Sequence, residues 1–233
     1  MTRYRIADLT VQMDISGRTE QQAIPYLTEQ DAPVDIVLTL DCERFLEKYP
    51  QLEDLDTAQY IGTGAAFAME ILHFDGFQFH ASAVMLEGKA YLFSANPGIG
   101  KSTHTEKWCR LFGAQIINDD KPVLRRVDGQ WMVYGTPWSG KHDLSNPVSV
   151  PLGGVAFLAR GDKNTICKMP VTEAIPAMIS QCVRFSHREC MSRQLALIDL
   201  LLRETPVWHL VCRNDDEAAM VSCEAMKENG SRE

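Results

Sequence analysis

The residues of this chain best suited to chemistry lie in one stretch, Ala95-Asn96-Pro97-Gly98-Ile99-Gly100-Lys101-Ser102, between the apolar run Tyr91-Leu92-Phe93 and a helix-like segment. Their order fits the phosphate-cradling P-loop pattern except at its first position, where Ala95 stands instead of glycine. A loop of this kind turns successive backbone N–H groups toward polyphosphate oxygens, sends a lysine to the β- and γ-phosphates and offers a hydroxyl to bound magnesium. Gly98, Ile99, Gly100, Lys101, Ser102 and Thr103 are therefore the expected phosphate-binding residues, with Lys101 the cation and Ser102 a magnesium ligand. Pro97 adds a residue that cannot donate a backbone hydrogen bond.

The elements around this loop must bring further groups to it. Phe77 to Leu86 and Lys89 to Phe93 read as strands separated only by Glu87-Gly88, the spacing of a two-residue hairpin turn. Pairing Leu86 with Lys89 and stepping outward sets Val84 opposite Tyr91, Ser82 opposite Phe93 and His80 opposite Ala95, so His80 is expected at the nucleotide site. After the loop, Thr103 to Phe112 propagates as a helix and stops at Gly113. A helix of that length descends roughly 18 Å, and a strand from Ala114 to Asn118 climbs back nearly as far. A right-handed crossover then returns Asp119 and Asp120 beside Lys101. Acidic residues ending an apolar strand next to such a loop suit a Mg-nucleotide enzyme, either to hold the metal or to take a proton from an attacking hydroxyl.

Downstream, Trp131 to Tyr134 is strand-like and leads into Gly135-Thr136-Pro137-Trp138-Ser139-Gly140-Lys141-His142. Loops of that composition often bind substrates, which makes Ser139, Lys141 and His142 candidate substrate contacts. Val155 to Ala159 and Val207 to Val211 read as strands, and Glu173 to Cys182, Glu189 to Glu204 and Asp215 to Glu228 as helices. Ahead of all this, Tyr4 to Ile15 and Val34 to Leu40 carry strand-like residues, with a helical segment at Glu43 to Tyr49. Thr57 to Phe74 has helical spacing, with Asp56 as its expected N-cap and Gly76 just beyond its end. The division expected is a small α+β region at 1–75 and a nucleotide-binding core at 76–233.

Composition narrows the partners. With 233 residues, 45% hydrophobic and 23% charged, the chain can bury a full core. A net charge of −8 argues against a generic binder of nucleic acid or of an anionic membrane. The N-terminus has no signal-peptide pattern and no run is long enough to span a bilayer, so a cytoplasmic protein is expected. Seven dispersed cysteines without a CxxC pair fit reduced thiols.

Phe79-His80-Ala81-Ser82-Ala83, the loop ending Gly98-Ile99-Gly100-Lys101-Ser102, and Ile117-Asn118-Asp119-Asp120 together resemble the superfamily of HPr kinase/phosphorylase and ATP-dependent phosphoenolpyruvate carboxykinase, in the same order and spacing. Gly135 to Lys141 also looks like a stretch of small HPr-kinase-related bacterial proteins, so the resemblance runs from about Gly76 onward. It implies an α/β fold with a P-loop kinase core, ATP and Mg2+ as cofactors, and a hydroxyl-bearing acceptor. By it Lys101 and Ser102 hold phosphate and magnesium, Asp119 is the general base, Asp120 a metal ligand, and His80 a metal or phosphoryl contact. Ala95 and Pro97 depart from the family's glycine and serine, and the arginines and lysines with which carboxykinases grip oxaloacetate are not all present.

The expected function is an ATP-dependent kinase acting on a hydroxyl of a peptide, a protein or a small molecule. A catalytically silent nucleotide sensor or scaffold of the same fold is the alternative, with a carboxykinase-like enzyme behind it. A GTPase lacks the guanine-reading Asn-Lys-x-Asp segment, which Asn118-Asp119-Asp120-Lys121 does not supply. Oligomeric state stays open, a homo-oligomer included.

Overall fold

In the computed structural model, which describes residues 1–228 apart from the side chains of Lys141 and Glu228, the chain begins with β1 (Thr2–Ile6), β2 (Leu9–Met13), α1 (Gly17–Ala23), β3 (Ile36–Leu38), α2 (Cys42–Lys48) and α3 (Leu55–Glu70). Next come β4 (Gly76–Gln78), β5 (Ser82–Leu86), β6 (Lys89–Ser94), α4 (Lys101–Phe112) and β7 (Gln115–Asn118). They are followed by β8 (Val123–Val127), β9 (Gln130–Tyr134), β10 (Ser149–Arg160) and β11 (Thr165–Lys168). The chain then closes with α5 (Val171–Ser180), α6 (Arg188–Glu204), β12 (Val207–Cys212) and α7 (Asp216–Glu228). The result is a mixed α/β fold with a curled sheet. No helix among the described residues is long and apolar enough to cross a membrane.

Three hairpins rest on pairs of residues at positive φ: Ala7-Asp8, Glu87-Gly88 and Asp128-Gly129. Two successive left-handed residues match the twist of the strands they join. The register at Glu87-Gly88 is the expected one, with Leu86 opposite Lys89, Val84 opposite Tyr91 and Ser82 opposite Phe93. β7 then pairs antiparallel with β5, so β7 runs parallel to β6 with β5 between them. β8 and β11 are strands that the residue pattern did not announce.

The run from Phe77 to Leu86, read as one strand, is two. β4 pairs with β8, while β5 pairs with β6 and β7. Between them the N–H groups of Phe79, His80 and Ala81 leave the ladder and donate to the carbonyls of Pro122, Gln181 and Asp120. His80 therefore sits where the sheet parts. The helix expected from Thr57 begins earlier, and its cap is Asp54, whose carboxylate accepts from the N–H of Thr57. Asp56, the expected cap, instead accepts from the N–H of Arg18 and so fastens the start of α1 to α3. Gly17, at φ +58°, leaves room for that carboxylate, which an added Cβ would meet at 2.2 Å.

β1, β2 and β3 form a separate three-stranded sheet. Its buried face shares one apolar cluster with Phe67 of α3, Val123, Tyr134 and Trp138. The Trp138 ring is fully buried and stacked on Phe67, with centroids 4.9 Å apart. Its Nε1 donates to Thr63 Oγ1 at 3.2 Å, and Gly64 has no side chain where the indole lies. The segment carrying Trp138 is thus anchored on α3. Trp138→Ala should leave a cavity between the two and lower unfolding free energy by about 3–5 kcal/mol. Urea denaturation checks this, and a loss below about 1 kcal/mol would mean that the indole is not an anchor.

Candidate functional site: a glycine-bearing loop, a lysine and two carboxylates

The loop from Ala95 to Gly100 leaves the end of β6 and delivers Lys101 as the first residue of α4. Ala95 keeps its methyl in the apolar cluster with Phe93 and Trp108, and it is not among the residues at positive φ. Glycine is therefore not required at that position. Gly98 and Gly100 sit at φ +79° and +115°, with nothing within 4 Å of an added Cβ, so the backbone conformation and not space demands glycine at both. Lys101 Nζ turns back and donates to the Ala95 carbonyl at 3.3 Å, closing the loop across its mouth. Arg160, at the end of β10, donates to the Gly98 carbonyl at 2.6 Å.

Five sequence-marked residues converge here: His80, Lys101, Ser102, Asp119 and Asp120. His80 Nε2 lies 3.3 Å from Lys101 Nζ and 3.3 Å from Asp120 Oδ1, while Nδ1 faces Gln181 Oε1 at 3.0 Å. Asp119 is nearly buried and accepts from two hydroxyls: Ser82 Oγ at 2.5 Å and Ser102 Oγ at 3.0 Å. Ser82 Oγ also meets Thr105 Oγ1 at 2.9 Å. Asn118 arranges the pair by accepting, through Oδ1, from the N–H groups of Asp120 and Lys121 at 2.9 and 2.7 Å.

The charges are poised by their surroundings. Burial lowers the pKa of Lys101, against the pull of Asp120 and Asp119. Lys121, whose Nζ is 3.9 Å from Asp120 Oδ2, is lowered too, by burial first. For Asp120 burial works against the charge, yet the His80 hydrogen bond and the nearby Lys121 and Lys101 hold its pKa below the usual carboxylate value.

No protein-family model and no curated protein matches this chain. Among solved structures, the HPr(Ser) kinase/phosphatase from Coxiella burnetii aligns at 12% identity with a TM-score of 0.39, over 65% of this chain and 97% of that one. So slight a likeness bears no weight, and the chain's own geometry has to.

Two cavities flank the loop. One, of about 550 Å³, is lined by Gly98, Gly100, Thr103, Leu158, Arg160 and Arg213 among others. The other, of about 240 Å³, lies beside Ser102 and Asp119 under His142 and Leu144. Of the residues expected to touch substrate, His142 lines this second cavity, whereas Ser139 is 1% exposed with its hydroxyl unpaired, facing no opening. The Lys141 side chain lies outside the described residues. Oxygen donors that could serve a magnesium ion are the Ser102 hydroxyl and the Asp119 carboxylate. Such hard oxygens suit Mg2+, which takes one or two carboxylates and completes its shell with water and phosphate oxygens. Among the described residues no group of three or more His, Cys, Asp or Glu could hold a metal unaided.

Ser82, Thr105 and Gln181 belong to this network without having been marked as site residues. Ser82 had a legible signal, since it follows His80 by two and alternation puts both on one side of the strand. Gln181, more than a hundred residues away along the chain, had none.

Behind the loop, His104 is buried in α4 with Nε2 3.0 Å from Ser222 Oγ. Burial, with a smaller push from Lys107, lowers its pKa to about 4. The unfolded chain would therefore take up this proton first as pH falls. Stability from neutral His104 is complete above pH 6.5 and is lost as pH drops toward 4, amounting to about 2 kcal/mol by pH 5. Urea denaturation at pH 7.5 and pH 5 should show that loss in the wild type and a flatter dependence in His104→Gln. An equal pH slope in both would remove His104 as its source.

Proposed function

We propose that this chain is an ATP-dependent kinase with a P-loop core of the HPr kinase type, transferring the γ-phosphoryl group of Mg-ATP to a hydroxyl of a peptide, a protein or a small molecule. The observation that carries the reading is the meeting of Lys101 Nζ and Asp120 Oδ1 on one imidazole, each 3.3 Å from His80 Nε2. A cation for phosphate and a carboxylate for an acceptor hydroxyl then share one point in space.

Polyphosphate would lie against the backbone N–H groups at the start of α4, with Lys101 balancing its charge. The nucleoside would occupy the 550 Å³ cavity that opens from Gly98, Gly100 and Thr103. That cavity favours a nucleotide over bare pyrophosphate, which has no use for it. Ser102 and Asp119 would hold magnesium on the protein side, where it would supply neutralisation of phosphate charge.

Hydrogen bonding favours exchanging the two carboxylate roles implied by the family resemblance. Both Asp119 oxygens already face serine hydroxyls, one of them Ser102, which suits a metal-positioning group. Asp120 is ionised beside His80 and more open to an incoming group, which suits a base. In the transfer, Asp120 takes the proton of the acceptor hydroxyl as that oxygen bonds to the γ-phosphorus. The bond from this phosphorus to the β,γ-bridging oxygen breaks, and ADP leaves. Positioning and charge neutralisation supply most of the acceleration.

Incubation with γ-labelled ATP and cell extract, divided into peptide and metabolite fractions, tests the reading by asking which fraction takes label. Lys101→Ala should weaken ATP binding by about tenfold or more. Asp120→Asn should keep ATP affinity but slow transfer by about 10²-fold or more. Full transfer by Asp120→Asn would return the base to Asp119. Tight ATP binding with label in neither fraction would favour the silent sensor.

A further inference from the structure

The segment from Thr136 to Ser145 meets both acidic residues of the site, Asp119 at its backbone and Asp120 at its side chain. The Leu144 carbonyl accepts from the N–H of Asp119 at 3.0 Å. Gly140, at φ +76°, lies so close to Asp120 that an added Cβ would meet that residue's Cβ at 2.9 Å and its Cγ at 3.2 Å. Asn118, which orders the N–H groups of Asp120 and Lys121, donates from Nδ2 to the Thr136 carbonyl at 2.9 Å. This segment is a wall of the site.

Its other side is held by residues from the first seventy-five. The Arg18 guanidinium of α1 donates to the Gly140 carbonyl and pairs with Asp143 at 3.0 Å. It also lies over the Tyr60 ring, 4.4 Å from the centroid. The Tyr60 hydroxyl accepts from the Gly140 N–H at 2.9 Å, so both peptide groups flanking Gly140 are gripped. Gln22 donates to Asp143, Tyr26 hydrogen-bonds Ser145, and Lys121 Nζ lies 5.5 Å from the centroid of the same Tyr60 ring. Arg18 is itself fixed, because its N–H donates to Asp56 of α3 at 2.9 Å.

We infer that Arg18 is a positioning residue for Asp119 and Asp120, acting with Tyr60 through the 136–145 segment, and that residues 1–75 are thereby part of the phosphoryl-transfer site. The catalytic half of this inference rests on the kinase reading; the positioning half does not. An isolated core beginning at Gly76 would keep the loop, the lysine, both carboxylates and the wall's bonds to Asn118 and Asp119, but would lose the grip of Arg18 and Tyr60 on Gly140.

The test uses the full chain carrying Arg18→Ala or Arg18→Lys, with amide hydrogen exchange followed residue by residue. In Arg18→Ala the Asp119 and Gly140 amides should exchange about tenfold faster, while the β1–β2 ladder and the middle of α3 keep their protection. ATP affinity should stay near wild type, and ATP turnover at saturating nucleotide should fall, with Arg18→Lys recovering part of it. A fall in turnover without a change in affinity is a readout that general destabilisation does not produce. Unchanged protection at Asp119 and Gly140, or a uniform loss across all elements, would overturn the positioning role. A wild type that binds no ATP would instead defeat the kinase reading, and the exchange experiment would still decide whether Arg18 holds the wall. Normal turnover by Arg18→Ala despite loosened amides would confine its role to structure.

Discussion

Much of this molecule turns on one nearly buried carboxylate. Asp119 accepts a hydrogen bond from the Ser82 hydroxyl on β5 and another from Ser102 at the start of the helix after the loop. Its own N–H is taken by Leu144 on the downstream segment. Three parts of the chain are thus tied to one residue, two through its side chain and one through its backbone N–H. A buried carboxylate is costly unless its oxygens are satisfied, so these partners cannot drift apart independently. Rigidity at the mouth of the glycine-bearing loop follows from that cost.

The parting of the sheet between β4 and β5 is the second condition. A continuous strand from Phe77 to Leu86 would have kept the His80 backbone inside a ladder, with its neighbours committed to cross-strand partners. Because residues 79–81 instead donate to Pro122, Gln181 and Asp120, two remote segments, 120–122 and the end of α5, are brought beside His80. The left-handed residues here are Gly98 at φ +79° and Gly100 at φ +115° in the loop, and Gly140 at φ +76° and Asp143 at φ +55° in the wall. At Gly98 and Gly100 the backbone conformation alone favours glycine, and at Gly140 the close approach of Asp120 adds to it.

The parts of this arrangement visible in the residues alone were those governed by local rules. Glu87-Gly88 dictated a two-residue turn, and from that turn the pairing of Ser82 with Phe93 could be counted out. The return of Asp119 and Asp120 followed from helix rise and strand rise. What was not visible depended on contacts far apart in sequence. β8 was hidden because Arg125 and Arg126 interrupt its apolar alternation, although Asp128-Gly129 was a readable turn. Arg125 is spent on the carbonyls of Phe74 and Ala7, partners that no periodicity encodes. Ser139, a hydroxyl in the glycine-rich loop, is 1% exposed beside the fully buried Trp138, a placement that comes from tertiary packing and not from composition. Arg18, alone in an unremarkable helix, carried no signal at all.

β10 joins these conditions along one line. Its first residues, Ser149 to Pro151, pair antiparallel with β9, and its later ones pair parallel with β6 and β12. The change of partner is absorbed between Leu152 and Gly154, where Gly153 has the Tyr91 ring and the Ala90 carbonyl in place of a side chain. Twelve residues of strand span roughly 40 Å, from just beyond the site's wall to the arginine that reaches Gly98. A residue inserted or deleted within β10 would slip two ladders of opposite sense at once, and no single compensating shift elsewhere could realign both. β10 is therefore the ruler of this fold, the stretch whose length is set by ladders of opposite sense at its two ends.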